Sequence, residues 1–462
     1  MNKFIKNNIS NKAFLNADFK NSITVNLNSD IKKENNSNDN LEFDLKNILK
    51  LYNDKNYNEM LIATDFFTKK YPEHIEGLNA HGLACKNCDK FSEAVKTFEK
   101  VVLINPNIDY IYTNLANTLY LLGKNNEAIA NFKKTLELNP SNTNALNGLG
   151  LSLSNQGDEK GAIKVYLEAL ATNPKISDAN YNVANSYKRI KDYEKASHYY
   201  SKSKHPKAMH VHLECLYLDK YCNEDRFYEL LSNLIDSKKL TSLTACISAH
   251  ASVRFSREDP YPFCKNPKDF IRKFNLFNHS EFDKDLIKSF LEDINNSKIN
   301  ARGQELLVNG KQTSGNLFNL EYSSVKKIKK IIEDTIEDYR ELFKDTNNGF
   351  IKNWPKNYTL FGWIVMLKTG GSLGSHMHRE GWLSSSVYLK RPKKLLDSDG
   401  DIQFSLDGAN MPRKEGASYL TEIIDIKEGD MVSFPSSLFH STIPFNSPEE
   451  RLTLAFDIIP KD

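Results

Sequence analysis

The chain has 462 residues, which at roughly 100–200 residues per domain is enough for two to four domains rather than one core. Lys and Arg number 62 against 59 Asp and Glu, and a net charge of +3 gives no basic footprint for nucleic acid or an anionic membrane surface. No apolar run approaches the roughly 20 residues of a membrane span, and Met1–Ser10 lacks the apolar core of a secretory signal. Six cysteines, with Cys85 and Cys88 as a lone pair, read as reduced thiols, so a soluble cytoplasmic protein is expected. Residues 1–40 hold twelve Asn and no sustained apolar period. Such a segment cannot bury enough surface to offset its ordering entropy, and a disordered leader is expected there.

From residue 41 the sequence repeats. Pro72, Pro106, Pro140 and Pro174 stand 34 residues apart, as do Ala94, Ala128, Ala162 and Ala196. Two further series, Gly82, Ala116, Gly150, Ala184 and Phe98, Phe132, Tyr166, Tyr200, keep the same step. Within one unit Leu146, Leu149, Gly150 and Leu153 have helical spacing, Gly157-Asp158 marks a turn, and a second helix runs to Asn173-Pro174. Each unit therefore reads as a helical hairpin: small residues let the backbones approach, aromatics fill the gap between hairpins, and proline stops the second helix. These positions resemble the tetratricopeptide repeat family, with about five units over 41–210. Met60 replaces alanine in the first and Pro206 falls two residues early in the last, as terminal repeats often depart from pattern. The resemblance implies an α-solenoid with a groove for a protein or peptide partner, or a stack that serves as an assembly surface. Asn114, Asn117, Asn144, Asn147, Asn180, Asn182 and Asn185 can be read as a clamp on a peptide backbone or as plain polar surface. Over 211–258 the period is lost, and His210–Leu218, Arg226–Ile235 and Leu240–Phe255 are expected helices of a cap or connector.

From 259 to 462 the class changes. Two helical stretches, Phe282–Asn295 and Ser323–Phe343, precede β-branched and aromatic runs at Tyr358–Lys368, Leu383–Lys390, Asp401–Leu406, Glu422–Lys427, Met431–Phe434, Leu438–Ile443 and Leu452–Ile459. Their spacing suggests a jelly roll, a double-stranded β-helix with helices over one face. His376 and His378 are two residues apart, so in a strand they share a face and can share an ion. His440 follows the turn and strand Gly429–Pro435, and Arg451, eleven residues on, opens the last strand with Thr453. Trp363 and Trp382 read as core or pocket wall, while His205, His210, His212, His250 and His279 have no partner at metal spacing.

Taken in order, His376, His378, Leu383-Ser384-Ser385-Ser386-Val387-Tyr388, Phe434-Pro435, His440 and Arg451-Leu452-Thr453 resemble the iron(II)- and 2-oxoglutarate-dependent dioxygenases. The likeness is to the group with His-x-His ahead of a Ser-rich Val-Tyr strand. It implies a hydroxylase that converts 2-oxoglutarate to succinate, with Fe(II) and 2-oxoglutarate bound and ascorbate as an auxiliary reductant. Iron would sit on His376, His378 and His440, leaving positions open for the cosubstrate and oxygen. Arg451 and Thr453 would hold the distal carboxylate, which suits a guanidinium fork. No catalytic residue beyond the metal ligands is implied. The family's usual set has a carboxylate two residues after the first histidine, where this chain has His378. The site is then three-histidine, or takes Glu380 as its carboxylate, or has His378 behind the ligands; Glu380, between Arg379 and Gly381 where the strand should end, is the less favoured. The competing reading is a non-catalytic tetratricopeptide scaffold with a degenerate or sugar-binding jelly roll, in which Arg451 pairs with Glu449 or Glu450.

Overall fold

The computed structural model of the chain describes residues 38–297, 299–408 and 411–461. The expected leader lies outside the described residues apart from 38–40, which open the first helix. The chain divides into two compact units, Met1–Ala208 and Met209–Asp462.

The first unit is five helical hairpins: α1 (Asn38–Asn53) with α2 (Tyr57–Lys70), α3 (Ile75–Asn87) with α4 (Phe91–Ile104), α5 (Asp109–Leu121) with α6 (Asn125–Leu138), α7 (Thr143–Asn155) with α8 (Glu159–Thr172), and α9 (Ser177–Arg189) with α10 (Tyr193–Lys202). The periodic residues are the core. Ala94, Ala128, Ala162 and Ala196 are fully buried, and so is Met60 in the first hairpin. A Cβ on Gly82 would come within 2.6 Å of the Phe98 ring, and one on Gly150 within 2.4 Å of the Tyr166 ring, so the small and aromatic series are two sides of one contact. The backbone repeats as well. Lys55, Asp89, Gly123, Gly157 and Lys191 all have positive φ, and the N–H that follows each bonds the carbonyl five residues back, closing every first helix in the same left-handed turn. Glycine occupies only two of these five places, so the turn is not visible as a glycine series. The asparagines are spent inside the stack: Asn114 donates to Asn79 and Asn182 to Asn147, each at 2.9 Å, and Asn180 bonds the Ile176 carbonyl. A buried amide needs a partner; a neighbouring repeat supplies it for Asn114, Asn147 and Asn182, and the start of its own helix for Asn180, so these four amides are engaged inside the stack.

The boundary falls at the first residue of α11 (Ala208–Leu218), and the second unit continues through α12 (Glu224–Asp236) and α13 (Ser242–Phe255). Its sheet contains β1 (Arg272–Asn275), β2 (Ala301–Arg302), β3 (Leu307–Thr313), β4 (Tyr358–His376), β5 (Leu383–Lys390), β6 (Ile402–Ser405), β7 (Thr421–Ile424), β8 (Asp430–Pro435), β9 (Phe439–Thr442) and β10 (Arg451–Pro460). The helices α14 (Lys284–Asn296) and α15 (Ser323–Leu342) precede β4; Tyr339 of α15 donates to the Phe270 carbonyl at 2.7 Å. The order is β1-β8-β5-β10-β4-β9-β6-β7, with β3 also on β4 and every pairing antiparallel. The sheet curls: Phe404 on β6 and Phe434 on β8 are separated by four strands in that order, yet their ring centroids are 4.8 Å apart.

The curl is built into β4. Its first half pairs with β10 and its second with β9, and the change falls at Gly370-Gly371. Gly370 has φ +71°, its N–H donates to the Phe445 carbonyl at 2.7 Å, and a Cβ on Gly371 would meet the Lys368 carbonyl at 2.5 Å. Thr369-Gly370-Gly371 therefore bends a continuous strand, and β4 runs to His376 instead of stopping at Lys368. The strands β1 and β3 were not expected; LVNGKQT in β3 carries an Asn-Gly pair and an exposed edge face, which hides it from a period-two search.

Candidate metal centre

His376 is the last residue of β4, and its Cα pairs with that of His440 on β9. His378 lies beyond the strand, so strand alternation does not bring it to the site. A loop does: the His378 N–H bonds the Ser436 carbonyl at 3.2 Å, folding the chain back over β8. One ring nitrogen from each of His376, His378 and His440 lies within 4.8 Å of the others, and this is the one such cluster among the described residues. Ring centroids are 4.3 Å apart for His376 and His440 and 4.9 Å for His378 and His440. Glu380 is exposed in the following turn and is not part of the cluster.

Every Nδ1 of the three faces an acceptor. His376 Nδ1 is 2.8 Å from the Gly374 carbonyl, His378 Nδ1 is 2.5 Å from an Asp457 oxygen, and His440 Nδ1 is 3.4 Å from the Leu438 carbonyl. A carbonyl or carboxylate oxygen can only accept, so the tautomer that satisfies these contacts has the proton on Nδ1 and leaves Nε2 free. The bare Nε2 atoms of His376 and His378 are 3.1 Å apart. Two lone pairs at that distance repel unless a cation lies between them. The donor set thus fits a divalent metal bound by neutral imidazoles. Burial, with His378 alongside, pulls the His376 pKa down to about 4, and burial together with both neighbouring rings also pulls His440 well down; both shifts favour the neutral imidazoles that ligation requires.

Arg451 is 3% exposed and, among the described residues, forms no ion pair with Glu449 or Glu450. Its Nε donates to the Gly400 carbonyl at 3.0 Å, its Nη1 to Thr453 Oγ1 at 2.9 Å, and its guanidinium lies 5.0 Å from the Tyr388 ring centroid. Asp401, whose charge reaches it, is already bonded by Arg391 and Lys394. A buried guanidinium without a carboxylate of its own is set up for an anion. Two hydroxyls stand beside it. Thr453 uses its oxygen to accept from Arg451 and keeps its proton, and the buried Tyr388 hydroxyl makes no hydrogen bond of normal geometry among the described residues. Arg451, Thr453, Ala455 and Asp457 alternate along one face of β10, the face that carries Trp363, Val365 and Leu367 on β4. Arg451 and the histidine cluster therefore belong to one face, with small Ala455 between them.

Sequence reasoning missed Asp457 and gave Tyr388 no role. The period-two step from Arg451 and Thr453 could have found Asp457. Two further histidines of this unit are engaged elsewhere: His250 lies 2.6 Å from the Tyr217 hydroxyl and 3.2 Å from Asp407, and His210 lies 2.7 Å from the Thr244 hydroxyl. Trp382 is core, donating to the Phe350 carbonyl at 2.9 Å, and Trp363, 8% exposed, stands 5.5 Å from the His378 ring. No helix among the described residues is long and apolar enough to cross a membrane.

Residues 362–457 match the family model described as "Putative 2OG-Fe(II) oxygenase", and tetratricopeptide repeat models match 75–108, 116–157, 143–176 and 177–204. Similar solved structures include MamA from residue 41 onward of Desulfovibrio magneticus RS-1, at 17% identity over 35% of this chain and 91% of that one, TM-score 0.33. They also include the tetratricopeptide protein TTC0263 of Thermus thermophilus, at 18% identity over 38% of this chain and 98% of that one, TM-score 0.34. PilF of Pseudomonas aeruginosa is 13% identical over 42% of this chain and 90% of its own, TM-score 0.38. No curated protein matches the chain.

Proposed function

We propose that this chain, in which tetratricopeptide repeats precede a 2OG-Fe(II) oxygenase domain, is an iron(II)- and 2-oxoglutarate-dependent hydroxylase whose metal is held by His376, His378 and His440. The observation that carries this is the convergence of one ring nitrogen from each of the three histidines within 4.8 Å, while every Nδ1 faces an acceptor. The strand order supports a jelly roll. One layer would be β8-β5-β10 with the first part of β4, the other the second part of β4 with β9-β6-β7; β4 changes partner at Gly370-Gly371, and His376 and His440 face each other on the β4–β9 pair beyond that bend.

Bound iron(II) would supply the site that activates oxygen alongside the keto acid. The chain's own residues do the rest. Arg451 pairs with the distal carboxylate of 2-oxoglutarate, while the Thr453 and Tyr388 hydroxyls donate to it. Trp363, Val365 and Ala455 give an apolar floor that keeps water from the reacting end. Ascorbate would serve only to return oxidised iron to the ferrous state. The repeats recruit a protein or peptide partner, and a cytoplasmic location completes the reading.

The test is anaerobic reconstitution with iron(II) followed by 2-oxoglutarate and air, with succinate measured. The parent should hold one iron per chain and form succinate slowly even without its prime substrate, and His376→Ala and His440→Ala should do neither. A parent that neither retains iron nor forms succinate would leave the scaffold reading.

A further inference from the structure

Asp457 is a buried carboxylate, 8% exposed, in the middle of β10. Among the described residues no Lys or Arg pairs with it; its one ion-pair partner is His378, at 2.5 Å. The same oxygen accepts from Ser384 Oγ at 2.7 Å, and Ser384 Oγ in turn lies 2.8 Å from Ser436 Oγ. Ser436 also supplies the carbonyl that holds the His378 N–H. Glycine at 381 keeps this corner tight, because a Cβ there would meet Ser436 Oγ at 2.5 Å and the Asp457 carboxyl carbon at 3.3 Å.

A carboxylate removed from water without a cation is costly. A core position on a central strand would take a Val or Ile with less penalty, so the charge calls for a countercharge. The route to one runs through His378, whose opposite nitrogen joins the three-histidine cluster.

We infer that Asp457 is the positioning residue of this centre. It pins the proton of His378 on Nδ1 so that Nε2 stays bare and turned toward His376 and His440, and it supplies, one ring away, the negative charge that a directly bound carboxylate would give. The inference rests on the metal-centre reading above. It also accounts for the histidine that stands two residues after His376, where the related family has a carboxylate. Three neutral imidazoles alone leave a divalent ion with its full charge. Asp457 restores the formal charge of two imidazoles and one carboxylate, with the carboxylate relocated from the loop to β10.

Asp457→Asn keeps the size and removes both functions. The amide can turn its NH2 toward Nδ1, which would favour the tautomer with the proton on Nε2 and block that ligand. Outer partners of metal-bound histidines typically account for about 10- to 100-fold in metal affinity. Titrating the metal-free full chain with Fe(II), and separately with Co(II), should show a loss of that order in Asp457→Asn, none in Glu380→Gln, and an intermediate loss in Ser384→Ala. A purely structural role for Asp457 would lower the melting temperature and leave the affinity of the folded variant at the parent value, which overturns the inference. The parent itself gives a reading that does not depend on any variant folding. With ¹⁵N-labelled histidine, the metal-free His378 should show a protonated Nδ1 and a bare Nε2, and the opposite tautomer overturns the inference. A parent that binds neither metal overturns the metal-centre reading as well, whereas a parent that binds tightly with Asp457→Asn its equal overturns only the role of Asp457.

Discussion

Replacing Arg451 with leucine separates a cosubstrate-binding role from a structural one. The guanidinium spends Nε on the Gly400 carbonyl and Nη1 on Thr453 Oγ1, and the rest of its fork is left for an anion. A charge-assisted hydrogen bond contributes about 1.5–3 kcal/mol, which is about 10- to 150-fold in affinity. Arg451→Leu should raise the 2-oxoglutarate dissociation constant by that factor. Iron content should not change, since none of the three histidines bonds Arg451. The variant also strands the Gly400 carbonyl, at a cost of about 1–3 kcal/mol in stability, so the titration belongs well below its melting temperature. Arg451→Lys keeps the charge but not the fork and should lose less. The assay is titration of 2-oxoglutarate into anaerobic, iron-loaded protein, followed by the metal-to-ligand absorption band. An unchanged dissociation constant in iron-replete Arg451→Leu refutes the assignment.

His378→Ala should abolish iron binding while Glu380→Gln leaves it intact, and metal analysis giving the reverse would return the site to two histidines and a carboxylate. Lys191 sits at φ +62° where Gly123 and Gly157 occupy the equivalent turns. Lys191→Gly should therefore stabilise the protein by up to about 1 kcal/mol, seen as a higher urea midpoint; a lower midpoint would mean the turn is not strained. Burial lowers the pKa values of His210 and His212 from 6.5 to about 4. Their unfolded forms take up protons first, so their contribution to stability is complete above about pH 6.5 and declines toward pH 4 by up to about 1.4 kcal/mol per pH unit for each. His210→Gln and His212→Gln should flatten urea midpoints against pH over that window, and a slope as steep as the parent's would place the titration elsewhere. Finally, a fragment beginning at Met209 should fold with its iron site, and one beginning at Asp259 should be less stable. The shorter fragment loses the Ser242 bond to the Gly381 carbonyl at 2.6 Å, the Glu214 pair with Arg379, and the His250 contact with Asp407; equal melting temperatures would refute this.

Legibility in this sequence follows the range of the interaction that fixes each feature. The hairpins could be read because a repeat must satisfy the same packing problem every 34 residues. Ala94 and Gly82 recur because their Cβ positions lie against helices and rings that recur too. The left-handed turns keep the same period in the backbone, yet Lys55, Asp89 and Lys191 tolerate a conformation that glycine would merely ease, so side-chain identity does not report it. In the second unit the strands with dense β-branched runs were visible. The bend in β4 was hidden, because Gly370-Gly371 reads locally as a terminator and becomes a hinge only through the Phe445 carbonyl, 75 residues away in sequence.

The site divides along the same line. His376 was legible from its His-x-His spacing and His440 from the family resemblance; the register that sets them opposite each other, on the extended end of β4 and on β9, was not. His378 was legible for a reason that does not hold in the fold: β4 ends at His376, two residues before it, and a loop bonded to Ser436 delivers the ring. Arg451 and Thr453 were singled out by their place at the start of the last strand, and their role was taken from the family resemblance. Asp457 continues their face by the period-two rule, but its meaning depends on His378, 79 residues earlier, meeting it with the right nitrogen. What residue type and spacing carry is the set of groups able to bind a metal. Which nitrogen each ring offers is decided by its neighbour on the far side, the Gly374 carbonyl, the Leu438 carbonyl or the Asp457 carboxylate, and that neighbour is fixed only when the sheet has closed.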